Sequence, residues 1–122
     1  KIVMPMDNVF ASGKADANQT GKDWLRVLAN SLKNKNYKEI KVEGHTDNIP
    51  INTSAYPSNW ELSSARASSA VRFLIENGMD INKIAALGYA ETKPLVDNNS
   101  DTNRAKNRRV EIIIVGNTDI NK

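Results

Sequence analysis

No cysteine occurs in the 122 residues, which excludes disulfides and thiolate zinc sites and leaves the redox compartment open. No stretch approaches the ~18 consecutive apolar residues of a membrane helix, and no signal peptide is recognisable. Aromatic residues make up only 6% of the chain, and neither sign of charge dominates: 17 Lys and Arg against 14 Asp and Glu give a formal net charge of +3. The one dense basic cluster is NRAKNRR, Asn103 to Arg109. Nucleic-acid binding draws on a wider basic face, usually with stacking aromatics, so no nucleic-acid partner is expected. Hydrophobic residues at 39% and charged residues at 25% fit one folded domain with a single core, burying roughly two-thirds of its unfolded surface. The chain opens on Lys1 and runs at once into Ile-Val-Met. It reads as a domain of a longer protein, with any targeting or anchoring segment upstream.

Along the chain, Lys1 to Met6 reads as a strand ended by Pro5, followed by a turn-rich connection that carries the apolar pair Val9 and Phe10. Thr20 and Asp23 have the spacing of a capping box, and Trp24, Leu25, Leu28 and Leu32 recur at helical spacing to about Asn34. Ile40, Val42 and Gly44 alternate with Lys41 and Glu43, the pattern of a half-buried strand. Ser58 and Glu61 make a second capping box, opening a helix that Asn77-Gly78 stops. Ile81 to Ile84 reads as a short turn, Ala85 to Ala90 as a strand, Arg104 to Arg108 as a brief helical turn and Val110 to Val115 as the last strand. The tail, residues 116–122, is polar. The fold expected is α/β of the α+β two-layer kind: a mixed four-stranded sheet with two main helices on one face, one domain over residues 1–122 with its core at about 9–115.

Two features point to a site. The second strand ends in GHTDN, placing His45, the only histidine, two residues before Asp47. A metal site, a catalytic pair and a ligand clamp all fit that pattern. Further metal ligands would all have to be carboxylates, because no second histidine and no cysteine exist. No Ser-His-Asp order or close pair of glutamates is visible. Strand alternation puts His45 and Asp47 on one side, and a packed or hydrogen-bonded histidine is the expectation. The other feature is Arg66. On a wheel of about 100° per residue, with Leu62 at zero, Arg66 falls near 40° and Asn59 near 60°. Both therefore lie on the apolar stripe of Leu62, Phe73, Ala70, Leu74, Ala67, Trp60 and Val71. An unpaired charge there is costly, so Arg66 needs an acidic partner, a route to the rim, or an anionic ligand to bind with its planar fork. The strand end at Asp47 is the obvious neighbour.

The segment NWELSSARASSAVRFL, Asn59 to Leu74, resembles the peptidoglycan-associating signature of the OmpA-like domain, Asn-x2-Leu-Ser-x2-Arg-Ala-x2-Val-x3-Leu. Asn59, Leu62, Ser63, Arg66, Ala67 and Leu74 match, and Ala70 stands in place of valine. GHTDN, Gly44 to Asn48, and NRRVEI, Asn107 to Ile112, resemble the family's other two blocks, so the resemblance runs from about Val9 to Val115. Within the family, HTDNIPI followed by SNWELS is most similar to the B subunits of flagellar stators, of the MotB and PomB type.

The resemblance implies non-covalent binding of the peptide stem of peptidoglycan, commonly containing diaminopimelate, whose side chain ends in an ammonium and a carboxylate on one carbon. Asp47 would take the ammonium and Arg66 the carboxylate, facing each other through water in the empty site. By the same carry-over Thr46, Asn59 and Leu62 would line the groove, and Asn107 and Arg109 would close another side. It further implies a homodimer, a stator A subunit as partner through an upstream membrane segment, and a periplasmic location as the C-terminal domain of an inner-membrane-anchored protein. No enzyme activity, cofactor or metal is implied. An outer-membrane or lipoprotein wall tether of the same fold is the alternative, and a wall-processing metal hydrolase the remote one.

Overall fold

In the computed structural model residues 1–116 are described; residues 117–122, nearly all of the expected polar tail, lie outside the described residues. The strands are β1 (Ile2–Pro5), β2 (Tyr37–His45), β3 (Ile84–Gly88) and β4 (Arg109–Gly116), and the helices α1 (Gln19–Leu32), α2 (Asn59–Glu76) and α3 (Asp101–Asn107). Single 3-10 turns follow β1 (Met6–Asn8) and precede β3 (Ile81–Lys83).

The sheet runs in the order β1-β4-β2-β3. β2 and β3 are parallel, which requires the crossover that α2 supplies, and β4 lies antiparallel between β1 and β2. This is the mixed four-stranded, two-layer arrangement expected from the sequence. The brief turn expected near Arg104 is a complete short helix, α3.

Helix entry follows the local chemistry, with one correction. At α2, Ser58 is the cap: it accepts from the Trp60 N–H at 3.2 Å and its hydroxyl donates to the Glu61 carboxylate, so the two residues of the expected box pair through their side chains. At α1 the cap is Asn18, whose side chain accepts from the Gly21 N–H at 2.8 Å. Thr20 and Asp23 do not cap; they lie inside the helix, where Asp23 bonds Gln19 and Arg26.

On one face of the sheet, Ile40 and Val42 of β2 sit opposite Ile114 and Ile112 of β4. They pack with Ala67, Ala70 and Leu74 of α2 and Leu25 and Leu28 of α1. Two aromatic placements differ from the apolar patterns: Trp60, on the wheel's apolar stripe, is 49% exposed, and Trp24, grouped by spacing with Leu25, Leu28 and Leu32, is 38% exposed. Trp60 lies in the first turn of α2, before the stretch that meets the sheet. The closest approach of the layers is at Gly44, where a Cβ would overlap the main-chain carbonyl of Ser63, and at its register partner Gly88, where it would overlap Ser64. Glycine there lets the N-terminal half of α2 lie directly on the ends of β2 and β3. That contact sets Asn59, Leu62 and Arg66 beside the end of β2.

Candidate functional site

A cleft of about 660 Å³ opens where β2 ends. Thr46, Asp47 and Ile49 line it from the segment after β2, Asn59, Leu62 and Arg66 from α2, and Asp7, Phe10 and Ala11 from the connection after β1. Arg108, the residue between α3 and β4, completes it.

Five of the seven residues proposed from the sequence therefore share one cleft: Thr46, Asp47, Asn59, Leu62 and Arg66. The four polar ones are held by hydrogen bonds. Asp47 accepts from the Ile49 N–H at 2.9 Å through one oxygen, and the Thr46 hydroxyl donates to the Asp47 carbonyl at 2.8 Å. Asn59 donates to the Ile49 carbonyl at 3.1 Å, tying the start of α2 to the same loop. Arg66 is 5% exposed. Its Nε donates to the Lys14 carbonyl at 2.8 Å, its Nη2 to the Ala11 carbonyl at 3.1 Å and its Nη1 to the Met6 sulfur at 3.1 Å. The guanidinium also lies over the Phe10 ring, 5.2 Å from its centroid. Burial lowers its pKa, partly offset by the charge of Asp7. The acidic partner expected for Arg66 is therefore not a direct one: the cation is solvated by main-chain carbonyls and an aromatic face.

Asp47 is paired instead with Arg108, Nη1 to Oδ2 at 2.6 Å. The same guanidinium grips Asp7 with both remaining nitrogens, at 2.9 Å each. That fork holds the Asp7 carboxyl below its ordinary value, against the effect of burial, and raises the pKa of Arg108. The cleft thus carries two carboxylates and two guanidinium groups, a neutral set of fixed charges of both signs.

Asn107 and Arg109 are not among the residues lining the cleft. Asn107 is fully buried, where it accepts from the Leu95 and Val96 N–H groups at 2.8 and 3.1 Å. It donates to the Val96 carbonyl at 2.9 Å and to the Asn98 side chain at 2.8 Å. Arg109 is also buried, on the sheet face away from α1 and α2. It bonds Glu111 at 2.5 Å, the Asn107 carbonyl at 3.0 Å and the Lys93 carbonyl at 2.9 Å. The residue sequence reasoning missed is Arg108. Alternation carried back from the core-facing Val110 and Ile112 puts Arg108 on the helix side and Arg109 on the other. Asp7 and Phe10 gave no comparable signal.

His45 does not face the cleft with Asp47, because β2 ends at His45 and the alternation ends with it. Its ring stacks on Tyr89 at 5.3 Å, and its Nε2 lies 3.4 Å from Glu43. The strand register sets Glu43 directly opposite Glu111, a carboxylate pair invisible in the linear sequence. One ligand atom from each of Glu43, His45 and Glu111 lies within 4.8 Å of the others. Cations of the chain already occupy the surroundings: Glu111 is bonded to Arg109 and lies 3.4 Å from the Lys1 ammonium. Burial works to raise the Glu111 carboxyl, but the bond and charge of Arg109, together with the charges of His45 and Lys1, leave the pKa lowered. The carboxylates of the cluster are thus held by cations, while His45 Nδ1 is buried without a hydrogen-bond partner; the ring is packed against Tyr89, compatible with the packed histidine expected.

Residues 9–108 match the OmpA family. Motility protein B of Bacillus subtilis is 40% identical over 107 residues, 87% of this chain and 41% of that protein. In three dimensions the chain resembles the cell wall anchor of the T6SS from Pseudomonas aeruginosa, with a TM-score of 0.86 and 37% identity, covering 93% of this chain and 79% of that one. It also resembles the periplasmic domain of Helicobacter pylori MotB, residues 78–256, with a TM-score of 0.84 and 30% identity, covering 94% and 74%. The chain spans about half the length of curated relatives it matches. With this match over most of its length, and the three motifs converging on one region of the fold, the chain belongs to the OmpA family.

Proposed function

We propose that the domain binds the peptide stem of peptidoglycan non-covalently and anchors a flagellar motor stator to the cell wall. The observation that carries this reading is the cleft in which Asp47 and Arg66 stand together, an anion and a cation fixed on different elements. Such a site suits a zwitterion, and the side chain of diaminopimelate ends in one: the ammonium would meet Asp47, and the carboxylate would lie on the Arg66 side. Thr46, Asn59 and Leu62 shape the walls. Family membership and the resemblance to a cell wall anchor and to motility B proteins support the anchoring role. The reading is of a binding module and not an enzyme, needing no cofactor or metal. It sits in the periplasm as the C-terminal part of an inner-membrane-anchored homodimer, whose upstream segment meets the stator A subunit.

Pull-down with purified peptidoglycan tests the proposal. Asp47→Ala and Arg66→Ala should each abolish co-sedimentation of the domain while the far-ultraviolet circular dichroism is retained. Asp47→Ala removes a charge-assisted contact worth about 1.5–3 kcal/mol, and Arg66→Ala removes the fixed positive charge on the carboxylate's side of the cleft. Wild-type retention by folded Asp47→Ala would refute the assignment of the ammonium site.

A further inference from the structure

We propose that Arg108 occupies the position on Asp47 that the ligand's ammonium must take, so that binding is an exchange of one cation for another and Arg108 sets the cleft's selectivity. This rests on the stem-binding reading above and assigns a role to a residue which that reading leaves out.

The geometry is that of a held but movable counter-ion. Asp47 is almost fully enclosed: one oxygen receives the Ile49 N–H and the other the Arg108 Nη1, and its side chain is only 10% exposed. The oxygen that is not tied to the loop is thus already held by Arg108, and a ligand ammonium takes that place by moving Arg108 aside. Arg108 can do so without being released, because Nε and Nη2 grip Asp7, whose side chain is 52% exposed and free to swing outward together with the planar guanidinium. Asp7 is thus the carboxylate that keeps the displaced cation. The exchange leaves the charge beside Asp47 unchanged, so an ammonium can replace the guanidinium where a neutral group would strand a buried carboxylate.

The displaced Nη1 then needs an acceptor. A ligand with a carboxylate on the same carbon as its ammonium brings one directly, within reach of the nitrogen it has just displaced. Arg66 is less free to reorient, since each of its three nitrogens already donates to Lys14, Met6 or Ala11. It contributes its charge to that side of the cleft while Arg108 contributes a freed N–H. A ligand ending in a bare ammonium displaces Arg108 and offers nothing in return. Arg108 therefore penalises the ammonium alone and rewards the zwitterion.

Calorimetric titration of the domain with two matched stem peptides, one ending in diaminopimelate and one in lysine, tests this. The wild type should bind the diaminopimelate stem at least about tenfold more tightly, a difference of ~1.4 kcal/mol. In Arg108→Gln the lysine stem should bind about threefold more tightly and the diaminopimelate stem about threefold more weakly, the scale of a partly exposed ion pair, so that the ratio falls to about one. Arg108→Lys, which keeps the charge without the fork, should give an intermediate ratio and carries the test if the glutamine variant folds poorly. An unchanged ratio in both variants, whether the affinities stay put or shift together, would overturn the exchange while leaving stem binding intact. Failure of the wild type to bind either stem would overturn both.

Discussion

Three adjacent residues of one motif, Asn107, Arg108 and Arg109, do three different jobs. Asn107 is the hub of the loop before α3, bonding Leu95, Val96 and Asn98. Arg109 neutralises Glu111 beneath the sheet, and Arg108 alone reaches the cleft. Removing a fully buried amide that satisfies two main-chain N–H groups leaves those donors unpaired. Asn107→Ala should therefore lower unfolding free energy by about 2–3 kcal/mol, read from urea denaturation. Peptidoglycan binding of the folded fraction should be unchanged. A stable Asn107→Ala protein that no longer sediments with the wall would put Asn107 back among the binding residues.

At the scale of elements, the site depends on how closely α2 lies on the ends of β2 and β3. A methyl group at Gly44 would meet a main-chain carbonyl of α2, which cannot rotate away as a side chain could. Overpacking of this kind costs typically 1–3 kcal/mol, and Gly44→Ala should lie at the upper end, about 3 kcal/mol. The helix must also shift, so Gly44→Ala should weaken wall binding although Gly44 lines no part of the cleft. Gly116→Ala, where nothing lies within 4 Å of an added Cβ, is the control and should stay within about 0.5 kcal/mol of wild type. Full stability and full binding in Gly44→Ala would show that the layers adjust freely and that their spacing does not position the site.

For the whole molecule, the ionic cluster beneath the sheet couples folding to pH. Burial, with help from the charge of Arg109, lowers the pKa of His45, while Glu111 and Glu43 oppose the shift. In the unfolded chain the imidazole titrates near its ordinary value of about 6.5. As pH falls through that value the unfolded state takes up the proton first, so stability is lost below about pH 6.5. The lowered carboxyls of Asp7 and Glu111 add a separate loss at more acidic pH, where their unfolded counterparts protonate. Urea unfolding at pH 7.5 to 5 should show the first decline in wild type and a flatter profile in His45→Gln. An identical slope in the two proteins would mean that His45 is not held neutral by its surroundings.

Much of this molecule is written locally. The periods of 3.6 and 2 place α2 and β2, the Ser58–Glu61 pair marks a helix start, and the position of Arg66 on an apolar stripe marks a site, because each depends on residues within a turn or two of one another. The chain's own order also puts Asp47 at a strand end. What Arg66 and Asp47 bond to depends on segments far away in sequence. Arg66 finds its acceptors at Lys14 and Ala11, and Asp47 finds Arg108, some sixty residues on. The Glu43–Glu111 pair likewise exists only because β4 inserts between β1 and β2 in one register. Local pattern decides which residues must be buried or turned toward a cleft. Which charges then meet is decided by strand order and register, since a buried charge takes whatever partner the packed layers bring within hydrogen-bonding distance.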